Sequence, residues 1–234
     1  MKLKASYADL IDLTDSSEDF LPTAASKRSL SRNSSSSNYV ITKVVDIEIG
    51  KREIDSLSGH NCLNDAIIEA FMKTFCDGKK VFVLSVVLAT KIYEHGSINK
   101  LRRNFTGYQY VAGPVFIKNS GPKLNHWNLL FVSLETNEVT FIDPFEASKD
   151  KCEKVRLNWT NFCKTRDDLK EKTWTISKYS FDHSKQIDGY SCGVFVCYFF
   201  EQLVTNKPEL LKQIGPLDKY RNYIKSKIMK CKEL

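Results

Sequence analysis

The stretch "QIDGYSCGVFVCYFF", residues 186–200, places a polar loop directly before a densely apolar segment. The Gly-Tyr-Ser tripeptide is typical of a turn, and the long apolar run after it predicts a buried helix that begins at Cys192. A cysteine in the first turn of a helix meets unpaired backbone N–H groups that stabilise a thiolate. The simpler alternative is that Cys192 is a small core residue, which is how we interpret Cys197 within the apolar run.

The length allows one domain with a tail, or two small domains. A hydrophobic fraction of 42% in 234 residues is enough to build a substantial core. The net charge of +7 is spread along the chain, so we expect no nucleic-acid partner. The odd number of cysteines and the lack of a C-x-x-C pair argue against disulfides and against a zinc site.

Nothing in the sequence suggests secretion or membrane insertion. The first thirteen residues lack the apolar core of a signal peptide, and the longest apolar run, near 81–90, is too short for a bilayer. We therefore expect a nuclear or cytoplasmic monomer that needs no metal and no other cofactor.

The chain divides near residue 38. Residues 20–38 are rich in serine and poor in large apolar side chains, so they cannot offset their ordering entropy by burial. The sequence predicts a disordered tail at 1–38 and a folded domain at 39–234.

Within the folded domain, helical and strand patterns are mixed. Asn64 is a good N-cap for a helix over "LNDAIIEAFMKTF", whereas "VFVLSVVLATKIYEHG" is ambiguous and ends at Gly96. The other segments are assigned by β-propensity or by apolar periodicity. Strands are expected at 38–50, 110–119, 126–134, 139–145 and 173–181, and helices at 192–204 and 220–234. The fold class is α+β, with a hairpin-based sheet between helices.

Two residues of the predicted hairpin could assist Cys192. His126 starts one strand and Asp143 closes its partner, so the two side chains should be neighbours. A carboxylate beside an imidazole can hold it in the tautomer that a cysteine nucleophile requires. The pair could also be a structural hydrogen bond. His183 is a second candidate base, although it has no carboxylate on an opposed strand.

The loop before Cys192 offers oxyanion donors. The Gln186 side-chain amide and the Cys192 backbone N–H could both donate to the oxyanion that forms when the thiolate attacks a carbonyl. Gly193 has no side chain, which would let a substrate carbonyl approach the backbone closely.

The order His, Asp, Gln, Cys resembles that of the Ulp/sentrin-specific cysteine proteases, which act on ubiquitin-like proteins. His126-Trp127 matches the family's "HW", and Asp143 in "FIDPF" matches its strand-end aspartate. "QIDGYSCG" matches the signature Q-x5-C-G, and "CLND" at 62–65 stands where the family has W-L-N-D. The resemblance covers roughly residues 45–230. It implies a papain-like fold of the Ulp type, with a central mixed or antiparallel sheet flanked by helices.

The resemblance also implies an activity: cleavage after the C-terminal diglycine of a ubiquitin-like modifier, by a cysteine protease or isopeptidase. The implied catalytic set has Cys192 as nucleophile, His126 as base, Asp143 as its orienter and Gln186 as oxyanion donor. The implied substrate-binding residues are Trp127 over the diglycine channel, Asp65 facing a basic residue of the modifier, Gly193, and Cys62, which replaces the family's tryptophan.

A short motif in the tail points to one modifier. Leu10, Ile11, Asp12 and Leu13 precede an acidic, serine-containing flank at 15–19. An extended apolar segment of this kind can add a strand to a sheet edge, and the segment resembles a SUMO-interacting motif. A chance acidic stretch is the alternative. The motif favours SUMO as the partner over NEDD8 or ubiquitin.

Three other functions stay open. A NEDD8- or ubiquitin-specific protease would share the fold, and an effector-type acetyltransferase would share the His-acid-Gln-Cys arrangement. A non-catalytic SUMO-binding module is the third, and Cys62 in place of tryptophan is its best support. The sequence does not distinguish SUMO paralogues, or precursor processing from deconjugation.

Overall fold

The computed structural model describes residues 39–76, 78, 80–97, 103–118, 125–146 and 148–231. The predicted disordered tail lies outside these residues, and the division at residue 38 stays a prediction. The strands are β1 (Val40–Val44), β2 (Ile47–Gly50), β3 (Val81–Val83), β4 (Tyr110–Ile117), β5 (His126–Ser133), β6 (Glu138–Ile142) and β7 (Thr175–Ile176). The helices are α1 (Lys51–Asp55), α2 (Asp65–Lys73), α3 (Val86–His95), α4 (Lys149–Lys164), α5 (Cys192–Val204) and α6 (Leu217–Lys230).

A five-stranded mixed sheet forms the centre of the fold. Its strand order is β3-β4-β5-β6-β7, with antiparallel pairs in the middle and a parallel pair at each edge. The predicted hairpin is β5 with β6, in a register that pairs Leu129 with Ile142. The expected α+β class and its central mixed sheet are therefore confirmed.

Each face of the sheet carries its own apolar cluster. Successive residues of a strand point to opposite faces, so β5 contributes Leu129 and Phe131 to one cluster and Leu130 and Val132 to the other. Helices α2, α5 and α6 cover the first face, and α3 and α4 cover the second. Since β5 is buried on both sides, the residue that begins it is held by the core of the protein.

Three of the expected elements differ in detail. The segment at 38–50 is a hairpin, β1 with β2, because the chain turns at Val45, which has a φ of 57°. The ambiguous segment is a short strand followed by a helix, because Ser85 caps α3 through its hydroxyl oxygen. The predicted strand at 173–181 was too long. Only two residues of this segment pair with β6. Beyond them, the Phe141 N–H of β6 donates to the Ser180 hydroxyl and not to the carbonyl of a neighbouring strand.

None of the helices in the described part of the chain combines the length and the apolar composition that crossing a bilayer requires.

The predicted cap of α2 is confirmed, and it gives a stability test. The Asn64 side-chain oxygen accepts the Ile67 N–H at 3.0 Å. We expect Asn64→Ala to lower the free energy of unfolding by about 1 kcal/mol, because one N–H of the first turn loses its partner. Urea denaturation measures the change, with Lys91→Ala on the exposed side of α3 as the control. Equal stability of the two variants would contradict the assignment.

Candidate active site

The hairpin brings a histidine and an aspartate together at one end of the sheet. His126 is the first residue of β5, and Asp143 follows the last residue of β6. The imidazole Nε2 and the carboxylate Oδ1 are 2.8 Å apart, a hydrogen bond between side chains that are 10% and 6% exposed. The prediction that these two residues are neighbours is confirmed.

Three donors hold the carboxylate of Asp143. Besides His126, the Phe145 backbone N–H donates to Oδ1 at 3.0 Å, and the Lys151 ammonium donates to Oδ2 at 2.5 Å. Burial by itself would raise the pKa of Asp143, but the hydrogen bonds from His126 and Lys151 outweigh burial and lower this pKa to about 2. The carboxylate is consequently ionised throughout the neutral range.

The imidazole of His126 is fixed from two sides. Its Nε2 is engaged by Asp143, and the Phe145 ring stacks on it at a centroid distance of 4.7 Å. The hydrogen bond to Asp143 uses Nε2, which leaves Nδ1 as the other ring nitrogen. This nitrogen is therefore the one that can accept a proton from a nucleophile.

Cys192 is the first residue of α5, as predicted, and it is only 3% exposed. Burial raises the pKa of the thiol, whereas the backbone N–H groups of Trp127 and of the first helical turn act to lower it. The start of the helix lowers the pKa of Cys192, as predicted, but burial raises this pKa by more. With its pKa raised, the Cys192 thiol needs a base to become a nucleophile.

Packing joins the start of α5 to the segment before α2. A side-chain carbon at Gly193 would lie 2.9 Å from the Leu63 Cβ and 3.0 Å from the Ile68 Cδ1. The Trp127 indole N–H donates to the Leu63 carbonyl at 3.0 Å. Leu63 thus links the start of α5 to β5, and Gly193 has a packing role that the sequence did not suggest.

Gln186 lies in the loop beside the hairpin end. Its backbone N–H donates to the Pro144 carbonyl at 2.8 Å, so the loop is pinned next to Asp143. Its side-chain amide donates to the backbone and side-chain oxygens of Asp188, at 2.7 and 3.1 Å. An oxyanion role requires one of these N–H groups to turn away from Asp188, and this role stays a prediction.

Asp188 is a site residue that the sequence reasoning missed. Its carboxylate also accepts hydrogen bonds from the backbone N–H groups of Tyr190 and Ser191, at 2.9 and 2.8 Å. These bonds stabilise the turn that immediately precedes Cys192. The Asp-Gly dipeptide in "QIDGYSC" was the available signal, because aspartate favours turns of this kind. Lys151 was also missed, and no local pattern marks it.

The alternative base, His183, lies in a different environment. Its Nδ1 donates to the Ser184 carbonyl at 2.9 Å, and its ring packs on Phe199 at 5.1 Å. Burial lowers the pKa of His183, so the ring is neutral at neutral pH. These contacts describe a core histidine.

The predicted substrate-binding residues come from three elements: Cys62 and Asp65 from α2 and the segment just before it, Trp127 from β5 and Gly193 from α5. Cys62 is exposed, next to Leu63, and close enough to Cys192 to influence its thiolate electrostatically. Asp65 is exposed in the first turn of α2. Trp127 is buried, with its ring 4.6 Å from that of Phe116. Their roles toward a substrate stay predictions, and Leu10, Ile11, Asp12 and Leu13 of the tail motif lie outside the described residues.

Residues 90–232 match the model of the Ulp1 protease family, C-terminal catalytic domain. A sentrin-specific protease of Caenorhabditis elegans is 25% identical over 178 residues, which are 70% of this chain and 24% of that protein. Human sentrin-specific protease 2 is 20% identical over 210 residues, 86% of this chain and 34% of that protein. The chain thus spans between a quarter and about a third of the length of these relatives.

Solved structures share the architecture. The C-terminal Ulp1 protease domain, solved in complex with Smt3, the yeast orthologue of SUMO, has a TM-score of 0.66 at 18% identity, over 84% of this chain and 90% of that one. The catalytic domain of the Chaetomium thermophilum Ulp1-like SUMO protease has a TM-score of 0.62 at 17% identity, over 83% and 81%. The predicted Ulp-type fold is therefore confirmed.

Proposed function

Because the chain belongs to the Ulp1 protease family through its C-terminal catalytic domain, we propose that it is a cysteine protease that cleaves after the diglycine of a ubiquitin-like modifier. The observation that carries this proposal is the buried hydrogen bond between His126 and Asp143, at the end of the strand against which Cys192 begins α5. We infer that SUMO is the modifier.

The reaction begins with proton transfer from the Cys192 thiol to Nδ1 of His126. The ionised Asp143 stabilises the imidazolium that results, because opposite charges attract strongly in a buried site. The thiolate attacks the carbonyl carbon of the terminal glycine, and an oxyanion forms. The Gln186 amide and the Cys192 backbone N–H donate to this oxyanion.

The intermediate collapses to a thioester and releases an amine. The amine takes the proton from His126, so the imidazole is again neutral. His126 then removes a proton from water, which attacks the thioester carbon. Cys192 leaves as thiolate, regains the proton, and the modifier is released with a free carboxylate.

Selection of diglycine is assigned to the surroundings of Trp127. Glycine has no side chain, so a narrow channel beneath the indole admits it and excludes other residues. Cys62 leaves one wall of this channel thinner than a tryptophan would. We assign to Asp65, which is exposed in the first turn of α2, the pairing with a basic residue of the modifier.

Three features support SUMO. The curated relatives are named sentrin-specific proteases, and one solved neighbour was captured with Smt3. The tail carries the motif at 10–13 with its acidic flank, which resembles a SUMO-interacting motif.

A panel of activity probes tests the proposal. SUMO, NEDD8 and ubiquitin, each with an electrophile at its C-terminus, are incubated with the full chain, and the adduct is located by mass spectrometry. We expect SUMO to label Cys192 and the Cys192→Ala variant to stay unlabelled. Cys231→Ala, a substitution at the end of α6, should be labelled like the wild type.

Each competing function gives a different result. Labelling by NEDD8 or ubiquitin without SUMO would overturn the modifier assignment. SUMO binding that is equal in wild type and Cys192→Ala, with no adduct in either, would identify a non-catalytic module. Transfer of acetyl groups from acetyl-CoA to lysine, without isopeptidase activity, would identify an acetyltransferase.

A further inference from the structure

The second carboxylate oxygen of Asp143 has its own partner, a lysine on α4. Ser148 caps this helix by accepting the Lys151 N–H at 3.2 Å, which sets the first turn beside the hairpin end. The Lys151 Nζ lies 2.5 Å from Oδ2, and the lysine side chain is 26% exposed. The carboxylate therefore bridges two cationic partners: the ammonium of Lys151 and, once it is protonated, the imidazole of His126.

Several titratable groups surround this carboxylate. Those that interact with it electrostatically are His126 on β5, Tyr93 on α3, Lys151 and Cys152 on α4, and His183 in the loop before α5. Burial raises the pKa of Tyr93, raises that of Cys152 to about 11, and lowers that of His183. These shifts keep the three groups uncharged near neutral pH. Lys185 acts electrostatically on Cys152 and His183, and the cation that contacts the Asp143 carboxylate directly is Lys151.

We propose that Lys151 is a positioning residue for the hydrolysis: it holds Oδ2 so that Oδ1 stays on His126, and it limits how strongly the carboxylate retains a proton on the imidazole. The inference rests on the proposed function for its catalytic meaning. His126 and the Phe145 N–H share Oδ1, whereas Lys151 is the partner of Oδ2, and a carboxylate bound at both oxygens is held in a more specific orientation than one bound at a single oxygen. An imidazolium that faces an unshared carboxylate also yields its proton to the leaving amine less readily.

Substitutions at Lys151 separate positioning from plain structural support. Lys151→Met and Lys151→Gln remove the charge, Lys151→Arg keeps it, and Lys149→Met is a matched control on the same helix turn. Two quantities are measured: kcat/KM against pH on a modifier with a C-terminal amide reporter, and the titration of the His126 imidazole by NMR in a Cys192→Ala background. The chain has four histidines, so the His126 signal can be assigned by substitution.

We expect the uncharged variants to lower kcat/KM at neutral pH by about threefold to thirtyfold, because the carboxylate loses a fixed orientation. Removal of a nearby positive charge favours proton binding, so the midpoint of the His126 titration should move to higher pH by about half a unit. Because the pKa of the Cys192 thiol is raised, the acidic limb of the rate profile is the one that follows His126, and it should move in the same direction. Lys151→Arg should stay within about twofold of the wild type, and Lys149→Met should match it.

Both uncharged variants could lower the melting temperature without moving the acidic limb of the kcat/KM profile or the midpoint of the His126 titration. In that case Lys151 has a structural role and the inference is wrong. The NMR titration needs no turnover, so the two proposals fail separately. A shifted midpoint in a chain that cleaves no modifier would refute the proposed function but support the coupling of Lys151 to His126. If the wild type is active and the His126 midpoint stays the same in the Lys151 variants, only the inference about Lys151 is refuted.

Discussion

Replacing His126 with alanine is expected to lower kcat/KM by about a thousandfold or more, the usual contribution of a general base that also protonates the leaving group. The effect should be large because the Cys192 thiol is buried and its pKa is raised, so few thiolates form without a base. Steady-state hydrolysis of a modifier with a C-terminal amide reporter measures the loss.

His183 supplies the matched control. His183→Asn keeps a side-chain N–H that can donate to the Ser184 carbonyl, as the Nδ1 of the histidine does. We expect less than a tenfold change in kcat/KM, with any loss visible as reduced stability. The opposite ranking, with His183→Asn the more damaging variant, would make His183 the base and overturn the assignment of His126.

The pH profile gives a further check on the same prediction. Asp143 has a lowered pKa of about 2, so its negative charge, and the stabilisation that it provides, are present above the ordinary carboxyl range and are lost only as the pH falls toward 2. Limbs of the kcat/KM profile between about pH 5 and 9 then belong to the coupled pair of Cys192 and His126. A limb that Asp143→Asn removes while it leaves the others unchanged would contradict this.

Replacing Gly193 with valine is expected to destabilise the protein by about 3 kcal/mol, the upper end of the usual cost of overpacking. The missing Cβ position lies 2.9 Å from a Leu63 carbon that is attached directly to the backbone, so the backbone of one segment must move. Such a movement also disturbs the Leu63 carbonyl that holds the Trp127 indole. Urea denaturation followed by circular dichroism measures the change.

Gly215 is the matched control for this substitution. A Cβ at Gly215 would meet nothing within 4 Å, so Gly215→Val should change the free energy of unfolding by less than about 0.5 kcal/mol. Gly193→Ala gives a milder point in the same series, should the valine variant not fold. If Gly193→Val is as stable as Gly215→Val, the close packing of Leu63 on α5 does not exist in solution.

The elements that were predictable had strong local signals. The α5 run is almost entirely apolar after a turn, Asn64 stands at a helix start, and the hairpin strands are β-prone on both sides of a short polar connection. The strand expected at 173–181 failed because alternation alone does not say whether a neighbouring strand is available. There β6 pairs with only two residues of the segment, and the Phe141 N–H of β6 donates to the Ser180 hydroxyl where a further strand carbonyl would have been its acceptor.

Local sequence patterns were enough to predict the order of the candidate catalytic residues and the hairpin that joins two of them. Strand pairing follows from local pattern, and His126 and Asp143 lie at paired strand ends of a short hairpin. Three further features of the candidate site arise only from tertiary packing. Burial raises the pKa of the Cys192 thiol, Gly193 packs on a residue 130 positions earlier, and Lys151 contacts Asp143 at the start of α4. These depend on how separate segments pack in three dimensions, which a local pattern does not contain.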